Sequence, residues 1–399
     1  MNTIHQQKCG ILILAHGDFC DQSLAGEKSS IWVAETANQL VPERILIATT
    51  GELKSKPEYV EIIKIQKGKI FADAVVATKE YFSDCERIVV IDANMPLVTQ
   101  KVLRGLIDSD TPVTVTYEDN ETHSAGGPFS FSAEWLYERV AQVKSPDELL
   151  AMYLEEGGIV ASVIASSEEL IHINDRYSFI EAESGLRKIL IEQAIGRGVL
   201  FSDPKSVILE HDVDLGCDVR VEPNCQLYGQ CIVQAGAIIG PGTILNNARV
   251  GEKSTVLQSV VSDSEIGSHV SVGPFSHIRE DTFIGDYCEI GTSAEVKAST
   301  LENHVKMHHF SYLGDTTVGK NSNIGAGAIT CNFDGQEKHK TKIGSHVFIG
   351  SSTMLVAPIN IGDDAVTGAG SVVVNNVPAH TKVVGVPARN LDDRQSEQN

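Results

Sequence analysis

The sequence predicts an α/β domain followed by a coiled β-solenoid built from six-residue repeats. Three observations lead to this prediction. Apolar residues in the second half recur with a period of six, glycine often follows them, and the first half alternates strand-like and helix-like segments. A period of six matches neither a helix, at about 3.6 residues, nor a strand, at about two. It matches short strands joined by tight corners, with each apolar lead residue pointing inward.

The period of six fills three runs of apolar residues. They are Leu215, Val221, Leu227, Val233, Ile239 and Leu245; Ile266, Val272, Ile278, Ile284, Ile290 and Val296; and Ile343, Ile349, Leu355, Ile361, Thr367 and Val373. An ordinary β-sandwich predicts irregular strand spacing, so the pattern favours the solenoid. We expect the rhythm to break once, at residues 331–342. An insertion there must loop outward from a corner, and such loops commonly carry function.

The first half predicts a mostly parallel sheet with packed helices. The predicted strands are Ile11–Ala15, Arg44–Thr49, Arg87–Ile91, Pro112–Tyr117 and Ile159–Ala165, and the predicted helices are Ala72–Phe82, Gln100–Ile107, Ala133–Val143 and Pro146–Leu154. A connecting helix should follow from Asn174 to Ile195, capped by Asn174 or Asp175 and ended by Gly196 and Gly198. Asp203-Pro204 then opens the solenoid, and the residues after Arg389 form a polar tail.

Composition argues against several functional classes. The 399 residues carry a formal net charge of −21, which disfavours nucleic acid as a partner. The sequence contains no apolar span of about 20 residues, so we expect no transmembrane helix. The N-terminus is polar, so we expect no signal peptide there. The eight cysteines form no C-x-x-C pair, which indicates reduced thiols rather than disulfides or zinc. We therefore expect a cytoplasmic protein without a metal site or a membrane partner.

Dense motifs in the second half resemble a known family. In order they are Gly273-Pro274-Phe275, His309 to Asp315 (HFSYLGD), Asn323 to Gly327 (NIGAG), Ile329 to Gly335 (ITCNFDG) and Lys338 to Thr341 (KHKT). The chain resembles the bacterial bifunctional enzyme family that joins glucosamine-1-phosphate N-acetyltransferase to N-acetylglucosamine-1-phosphate uridyltransferase. The resemblance is specific over residues 273–370 and looser over nearly all the rest. It implies a left-handed parallel β-helix, an exception to the usual handedness of crossovers. It also implies a homotrimer and acetyl-CoA as the donor.

The resemblance assigns roles to individual positions. His309 matches the general base, and the sugar-phosphate contacts match Arg279, Lys297, Tyr312, Asn323 and Lys338. The acetyl-CoA and acyl-transfer contacts match Ala326, Asn332, Phe333, Ser351 and Ala369. The chemistry supports these roles, because an attacking amine needs a base and a sugar phosphate needs cations. Without the motifs, His309 would be a surface histidine and the cations solvated charges. We expect His308 to point to the opposite side of a strand from His309 and to be structural.

Some positions depart from the family pattern. Phe333 stands where the family usually has tyrosine, and we expect no counterpart of the family's long C-terminal arm, with Gly385 near the place of its CoA-binding arginine. In the first half, residues 15–26 lack the arginine and lysine that clamp a nucleotide triphosphate. The Leu-Gly-Thr segment that recognises uracil appears as residues 70–74. Asn94 replaces the metal-binding aspartate. An amide is a poorer Mg²⁺ ligand than a carboxylate, so we expect a degenerate site without Mg²⁺.

The sequence thus predicts four segments. Residues 1–173 form a degenerate nucleotidyltransferase-like α/β domain, 174–203 a connecting helix and linker, 204–389 a left-handed β-helix acetyltransferase domain, and 390–399 a tail. The predicted function is acetyl transfer from acetyl-CoA to glucosamine-1-phosphate. Three alternatives stay open: a fully bifunctional enzyme using Asp18, Lys28 or Asp92, an acyltransferase for another amino sugar, and a non-catalytic scaffold subunit. Fold alone does not choose among them.

Overall fold

A computed structural model describes residues 7–16, 19, 22–51, 56–66, 70–118 and 124–390. Asp18 and the tail after Asn390 lie outside these ranges. The chain forms two compact units, Met1–Arg187 and Lys188–Asn399. Of the helices in the described ranges, none is both long and apolar enough to cross a membrane. The fold class predicted from the sequence is confirmed.

The first unit contains a seven-stranded mixed sheet. In spatial order its strands are Val60–Lys64, Arg44–Thr49, Cys9–Ala15, Arg87–Asp92, Ser124–Ser132, Val113–Glu118 and Ala161–Ala165. The first four are parallel to one another, and Ser124–Ser132 runs antiparallel to both of its neighbours. All five predicted strands are present, with ends shifted by a few residues. A short hairpin pairs Ser23–Leu24 with Glu27–Lys28.

Helices cover both faces of this sheet. Ser29–Asn38 and Gln100–Ile107 pack on one face, and Ile70–Thr78, Ala133–Arg139 and Pro146–Glu155, with a short 3-10 turn at Val140–Gln142, pack on the other. A sixth helix, Arg176–Gly196, follows along the chain. Because neighbouring strand residues point to opposite faces, Ile11 and Ile13 enter one core while Leu12 and Leu14 enter the other. Local signals fix the helix starts: Asp175 Oδ1 accepts the Ser178 N–H at 2.8 Å, as an N-cap does. A helix is present at Arg176–Gly196, close to the predicted Asn174–Ile195.

The second unit is a parallel β-helix with three faces. Face A comprises Leu200–Phe201, Arg220–Val221, Ile238–Ile239, Thr255–Val256, Ser271–Val272, Glu289–Ile290, Lys306–Met307, Asn323–Ile324, Phe348–Ile349, Val366–Thr367, Lys382–Val384 and Arg389–Asn390. Only the last of these pairs antiparallel. The other strands join into a 17-stranded sheet that supplies faces B and C. A 3-10 turn at Pro204–Ser206 precedes them.

Faces B and C share two long strands that run through a corner, Ile244–Val250 and Val260–Ile266. Face B otherwise comprises Ile208–Leu209, Gln226–Tyr228, His277–Arg279, Glu295–Lys297, Tyr312–Gly314, Ile329–Cys331, Met354–Val356 and Val372–Val373. Face C comprises Asp214–Leu215, Ile232–Val233, Phe283–Ile284, Thr300–Leu301, Thr316–Val318, Thr341–Ile343 and Ile359–Ile361. Within the stack, strands pair with their equivalents one turn before and one turn after.

The lead residues of the repeats form the buried column that the spacing predicts. Every member of the three sequence runs is buried, Thr367 included. The expectation of a single break is wrong, because the spacing also shortens to five, as from Leu245 to Val250 and from Val296 to Leu301. After Leu245 the strand pairing continues through the corner, where Asn247 has a φ of 47°, and one residue fewer still brings an apolar side chain inward. The insertion at 331–342 does loop outward, between face B and face C.

Candidate functional site

One corner of the β-helix carries His309 and three of the predicted acetyl-CoA contacts. It is the corner at which face A turns into face B. The backbone N–H that follows each corner position donates to the carbonyl one turn earlier, at 2.7–3.0 Å: Gly327 to His309, Ser352 to Ala326, and Gly370 to Ser351. His309, Ala326, Ser351 and Ala369 therefore lie on four consecutive turns. We call this set the corner column.

His309 occupies a tight turn rather than a strand. His309 and Phe310 have φ values of 49° and 42° between Lys306–Met307 and Tyr312–Gly314, and both side chains are exposed. The turn is fixed by buried Ser311, whose hydroxyl donates to main-chain carbonyls, including that of Gly325 at 3.0 Å. Strand alternation therefore does not separate His308 from His309, which corrects the prediction. Their ring centroids are 5.8 Å apart.

Two predicted phosphate contacts stand side by side on face B. Arg279 and Lys297 are direct partners in the parallel ladder. The Arg279 Nε and Nη2 donate to Glu295 Oε1 at 3.0 and 2.8 Å, and Nη1 contacts Glu280. Lys297 Nζ lies 3.1 Å from Glu280 Oε2, and its side chain is only 9% exposed. A buried ammonium group needs such partners.

The outward loop brings a third cation to this pair. A hydrogen bond between Lys297 and Lys338 raises the pKa of Lys297, with Glu280 adding to the effect. The same bond lowers the pKa of Lys338. The directions are opposite because the amine of Lys338 has to give up a proton before it can accept this hydrogen bond from the Lys297 ammonium group. Arg279, Lys297 and Lys338 form what we call the cation cluster.

Tyr312 and Asn332 converge next to the cation cluster. A Cβ on Gly314 would lie 2.3 Å from the Tyr312 hydroxyl and 2.7 Å from the Asn332 amide nitrogen, so both polar groups lie against this glycine. Asn332 is 8% exposed and donates through Nδ2 to Asp315 Oδ2 at 2.5 Å. The amide is thus held in a fixed orientation.

The loop itself is ordered by local hydrogen bonds. Asp334 accepts the Gln336 and Glu337 N–H groups at 2.8 Å and pairs with His339 at 2.7 Å. The Glu337 N–H, followed by His339, holds the pKa of Asp334 well below its usual range. The backbones of Phe333 and Lys338 pair across the loop as an isolated antiparallel β-bridge, and 60% of the surface of Phe333 is exposed. The predicted acyl-transfer position therefore presents a bare aromatic ring.

Asn323 is not brought to the cation cluster within one chain. It lies on face A, paired with Lys306 and Phe348. Sequence reasoning also missed the acids around the cations, Glu280, Glu295 and Asp315. One signal was available, because a two-residue spacing on a strand puts Glu295 on the same side as Lys297.

The first unit holds a separate polar cluster. His16 Nε2 and His172 Nε2 lie 3.0 and 3.3 Å from Asp92 Oδ2. Burial raises the pKa of Asp92, but hydrogen bonds from His16, His172 and the Asn94 N–H outweigh it and leave the pKa well below its usual range. The bond to Asp92 raises the pKa of His16. These three partners hold the Asp92 carboxylate.

This cluster adjoins a cavity of about 300 Å³. Its walls include His16 and Asp92 with the rings of Phe71 and Phe129. The cavity lies at the carboxyl ends of Cys9–Ala15 and Arg87–Asp92, where the strand order reverses, which is the usual ligand position in such sheets. Asn94, beside it, is 6% exposed, and its Oδ1 accepts no hydrogen bond from the residues that the structure describes.

Comparisons with known proteins agree with this architecture. Residues 340–374 match the family model described as the hexapeptide repeat of succinyl-transferase. A bifunctional protein GlmU from Thermotoga sp. (strain RQ2) is 30% identical over 403 residues, covering 91% of both chains. The GlmU of Corynebacterium diphtheriae is 31% identical and covers 96% of this chain and 88% of its own.

Other matches cover less. The GlmU of Synechococcus sp. (strain CC9311) is 38% identical over 264 residues, which span 58% of its length. Among solved structures, the UDP-N-acetylglucosamine acyltransferase of Francisella novicida covers 50% of this chain and 74% of its own at 14% identity and a TM-score of 0.38. A nucleotidyl transferase from Methanothermobacter covers 45% and 99% at 16% identity and the same TM-score.

Proposed function

The chain belongs to the bifunctional GlmU family, and from that premise we propose that it transfers an acetyl group from acetyl-CoA to the amine of glucosamine-1-phosphate. The observation that carries this proposal is the cation cluster. Three cations from two strands and a loop converge beside Tyr312 and Asn332, on the face that adjoins the corner column. Such a cluster suits a phosphate group.

The proposed reaction gives each side chain a task. Arg279, Lys297 and Lys338 bind the phosphate, and Tyr312 positions the sugar. His309 removes a proton as the amine nitrogen attacks the thioester carbonyl. The tetrahedral intermediate collapses, the C–S bond breaks, and coenzyme A leaves as a thiol after taking up a proton.

Acetyl-CoA would run along the corner column. The side chains of Ala326, Ser351 and Ala369 are small, so an extended ligand can approach the backbone closely. Phe333 has no hydroxyl, and the developing oxyanion therefore needs the Ser351 hydroxyl, the Asn332 amide or backbone N–H groups.

We propose a homotrimeric assembly located in the cytoplasm. Asn323 supports the trimer, because it lies on a different face from the cation cluster and reaches a substrate most simply in a neighbouring subunit's site. The loop at 331–342 would contribute to the same shared cleft.

We also propose that the first unit no longer makes UDP-sugars. Asn94 stands where the family has a metal-binding aspartate, and Asp92 is taken up by His16 and His172. Phosphoryl-type transfer depends on cations and metal that hold the phosphates. Pyrophosphate release from UTP, N-acetylglucosamine-1-phosphate and Mg²⁺ should be absent. Turnover of about 1 to 1,000 per second, ordinary for enzymes, would establish the bifunctional alternative instead.

The central experiment is thiol release from acetyl-CoA against a panel of amino sugars and their 1-phosphates. We expect glucosamine-1-phosphate to be acetylated and unphosphorylated glucosamine to react poorly. Preference for another amino sugar would identify a different acyltransferase. Release with no member of the panel would favour a scaffold subunit.

A further inference from the structure

Glu280 lies at the point where the positive charges of the cation cluster meet. One carboxylate oxygen accepts from Arg279 Nη1, and the other lies 3.1 Å from Lys297 Nζ. The hydrogen bond from Lys297 lowers the pKa of Glu280, so this carboxylate is ionised near neutral pH. It therefore bridges two of the three cations.

The backbone aims Glu280 at this position. Glu280 and Asp281 have φ values of 53° and 55°, a corner conformation that turns the chain out of the strand His277–Arg279. The side chain of Glu280 is half exposed, whereas that of Lys297 is buried. A half-exposed carboxylate can move away while the more deeply packed lysine side chain stays.

The neighbouring acids have different partners. Within the described residues, Glu295 accepts hydrogen bonds from Nε and Nη2 of Arg279 and makes no ion pair with Lys297. Asp315 accepts from the Asn332 amide. Glu280 alone of these three acids contacts both Arg279 and Lys297 through hydrogen bonds or ion pairs in the described part of the chain. It uses the donors that an incoming phosphate would need.

We infer that Glu280 is a built-in competitor for the phosphate group, occupying the anion subsite until substrate displaces it. The inference rests on the proposed function for the identity of the phosphate ester. It does not depend on acetyl transfer for the competition itself, because any oxyanion has to displace the same carboxylate. Glu280 is thus a residue that sets the affinity of this subsite.

The test compares Glu280→Gln with the unmodified chain. Loss of the two exposed ion pairs should tighten binding of inorganic phosphate by about two- to thirtyfold, as followed by ³¹P NMR titration. The KM for glucosamine-1-phosphate should fall by the same factor, with kcat within about twofold.

Two controls separate charge from structure. Glu280→Asp keeps the charge and should stay close to the unmodified chain. Glu61→Gln breaks a comparable exposed pair with Arg44 in the first unit and should change neither constant. Thermal melting of each variant reports its folding.

The outcomes are distinct for the two proposals. Phosphate binding that is unchanged or weaker in Glu280→Gln overturns the competitor role, whether or not the enzyme is active. Tighter phosphate binding without thiol release from any acceptor supports the competitor role and contradicts the acetyltransferase proposal. An unchanged KM in an active Glu280→Gln enzyme also overturns the competitor role.

Discussion

At the residue scale, substitution of His309 is the most direct test of the proposed acetyl transfer. Removing a general base commonly lowers rate by about 10²- to 10⁴-fold. We expect His309→Ala to lose at least about 10²-fold in kcat while it folds normally, since surface changes usually stay within about 0.5 kcal/mol. Steady-state kinetics at saturating acetyl-CoA measure the change.

The matched control for His309 is His346→Ala. His346 is also an exposed corner residue, with φ 57°, and should keep its kcat. Arg279→Ala and Lys297→Ala should instead raise the KM for the sugar phosphate, because phosphate contacts are shared by ground and transition states. A His309→Ala enzyme that keeps more than about a tenth of its kcat, against the expected loss, would exclude His309 as the base.

A second residue-scale prediction concerns the His16–Asp92 pair. The pKa of His16 is raised by the bond to Asp92, so its stabilisation is fully present below pH ~6.5 and is lost as pH rises through the folded-state value. Because the pKa of Asp92 is low, the stabilisation that this carboxylate contributes is lost only at strongly acidic pH. The contribution should be about 1 kcal/mol or less, since His16 is partly exposed.

Urea unfolding of the unmodified chain and His16→Asn between pH 5 and about 8 tests this pair. The difference in unfolding free energy should shrink as pH rises. A difference that stays constant or grows across this range would contradict the assigned direction.

At the element scale, the spacing of turns makes some glycines indispensable. A Cβ on Gly350 would lie 2.6 Å from main-chain atoms of the next turn, Ala369 N and Thr367 O. We expect Gly350→Ala to destabilise the β-helix by about 1–3 kcal/mol, which lowers Tm by about 2–4 °C per kcal/mol. Calorimetry measures the shift, with Gly196→Ala as control, where a Cβ meets nothing within 4 Å. Equal melting of the two variants would refute the packing argument.

The elements differ in how far the sequence could reveal them. The buried column of lead residues follows from its period alone, because one inward side chain per strand is a local requirement. The five-residue steps after Leu245 were not predicted, because the position of a shortened step depends on how the chain passes through the corner. In the first unit the helix Ser29–Asn38 was not predicted. It has no side-chain N-cap, and because most of its residues are buried it lacks the polar face that marks an amphipathic helix.

The candidate site was predictable only in part, because folding brings together residues from separate segments of the chain. The family motifs identified the three cations, but nothing local in the sequence shows that the loop places Lys338 next to Lys297. Glu280 was missed because an acid next to an arginine in the sequence usually points to solvent, whereas the two-residue spacing of Glu295 and Lys297 was a usable signal. His308 was misplaced because its strand ends two residues too early for alternation to apply.

At the scale of the whole molecule, the prediction is a trimer. A β-helix offers flat sheet faces that can pack about a threefold axis. Light scattering coupled to size exclusion should give the mass of three chains at micromolar concentration. A monomeric mass with full acetyl transfer would exclude a shared site, and Asn323→Ala would then leave the KM for sugar phosphate unchanged.

The three ladders of the β-helix have a consequence for its cooperativity. Each turn is hydrogen-bonded only to the turn before and the turn after, so its free energy adds as in a one-dimensional lattice of nearest neighbours. A defect in one turn weakens two interfaces and leaves distant turns intact. Melting therefore begins at the ends of the stack, and the interior turns that hold Arg279, Lys297 and His309 open last.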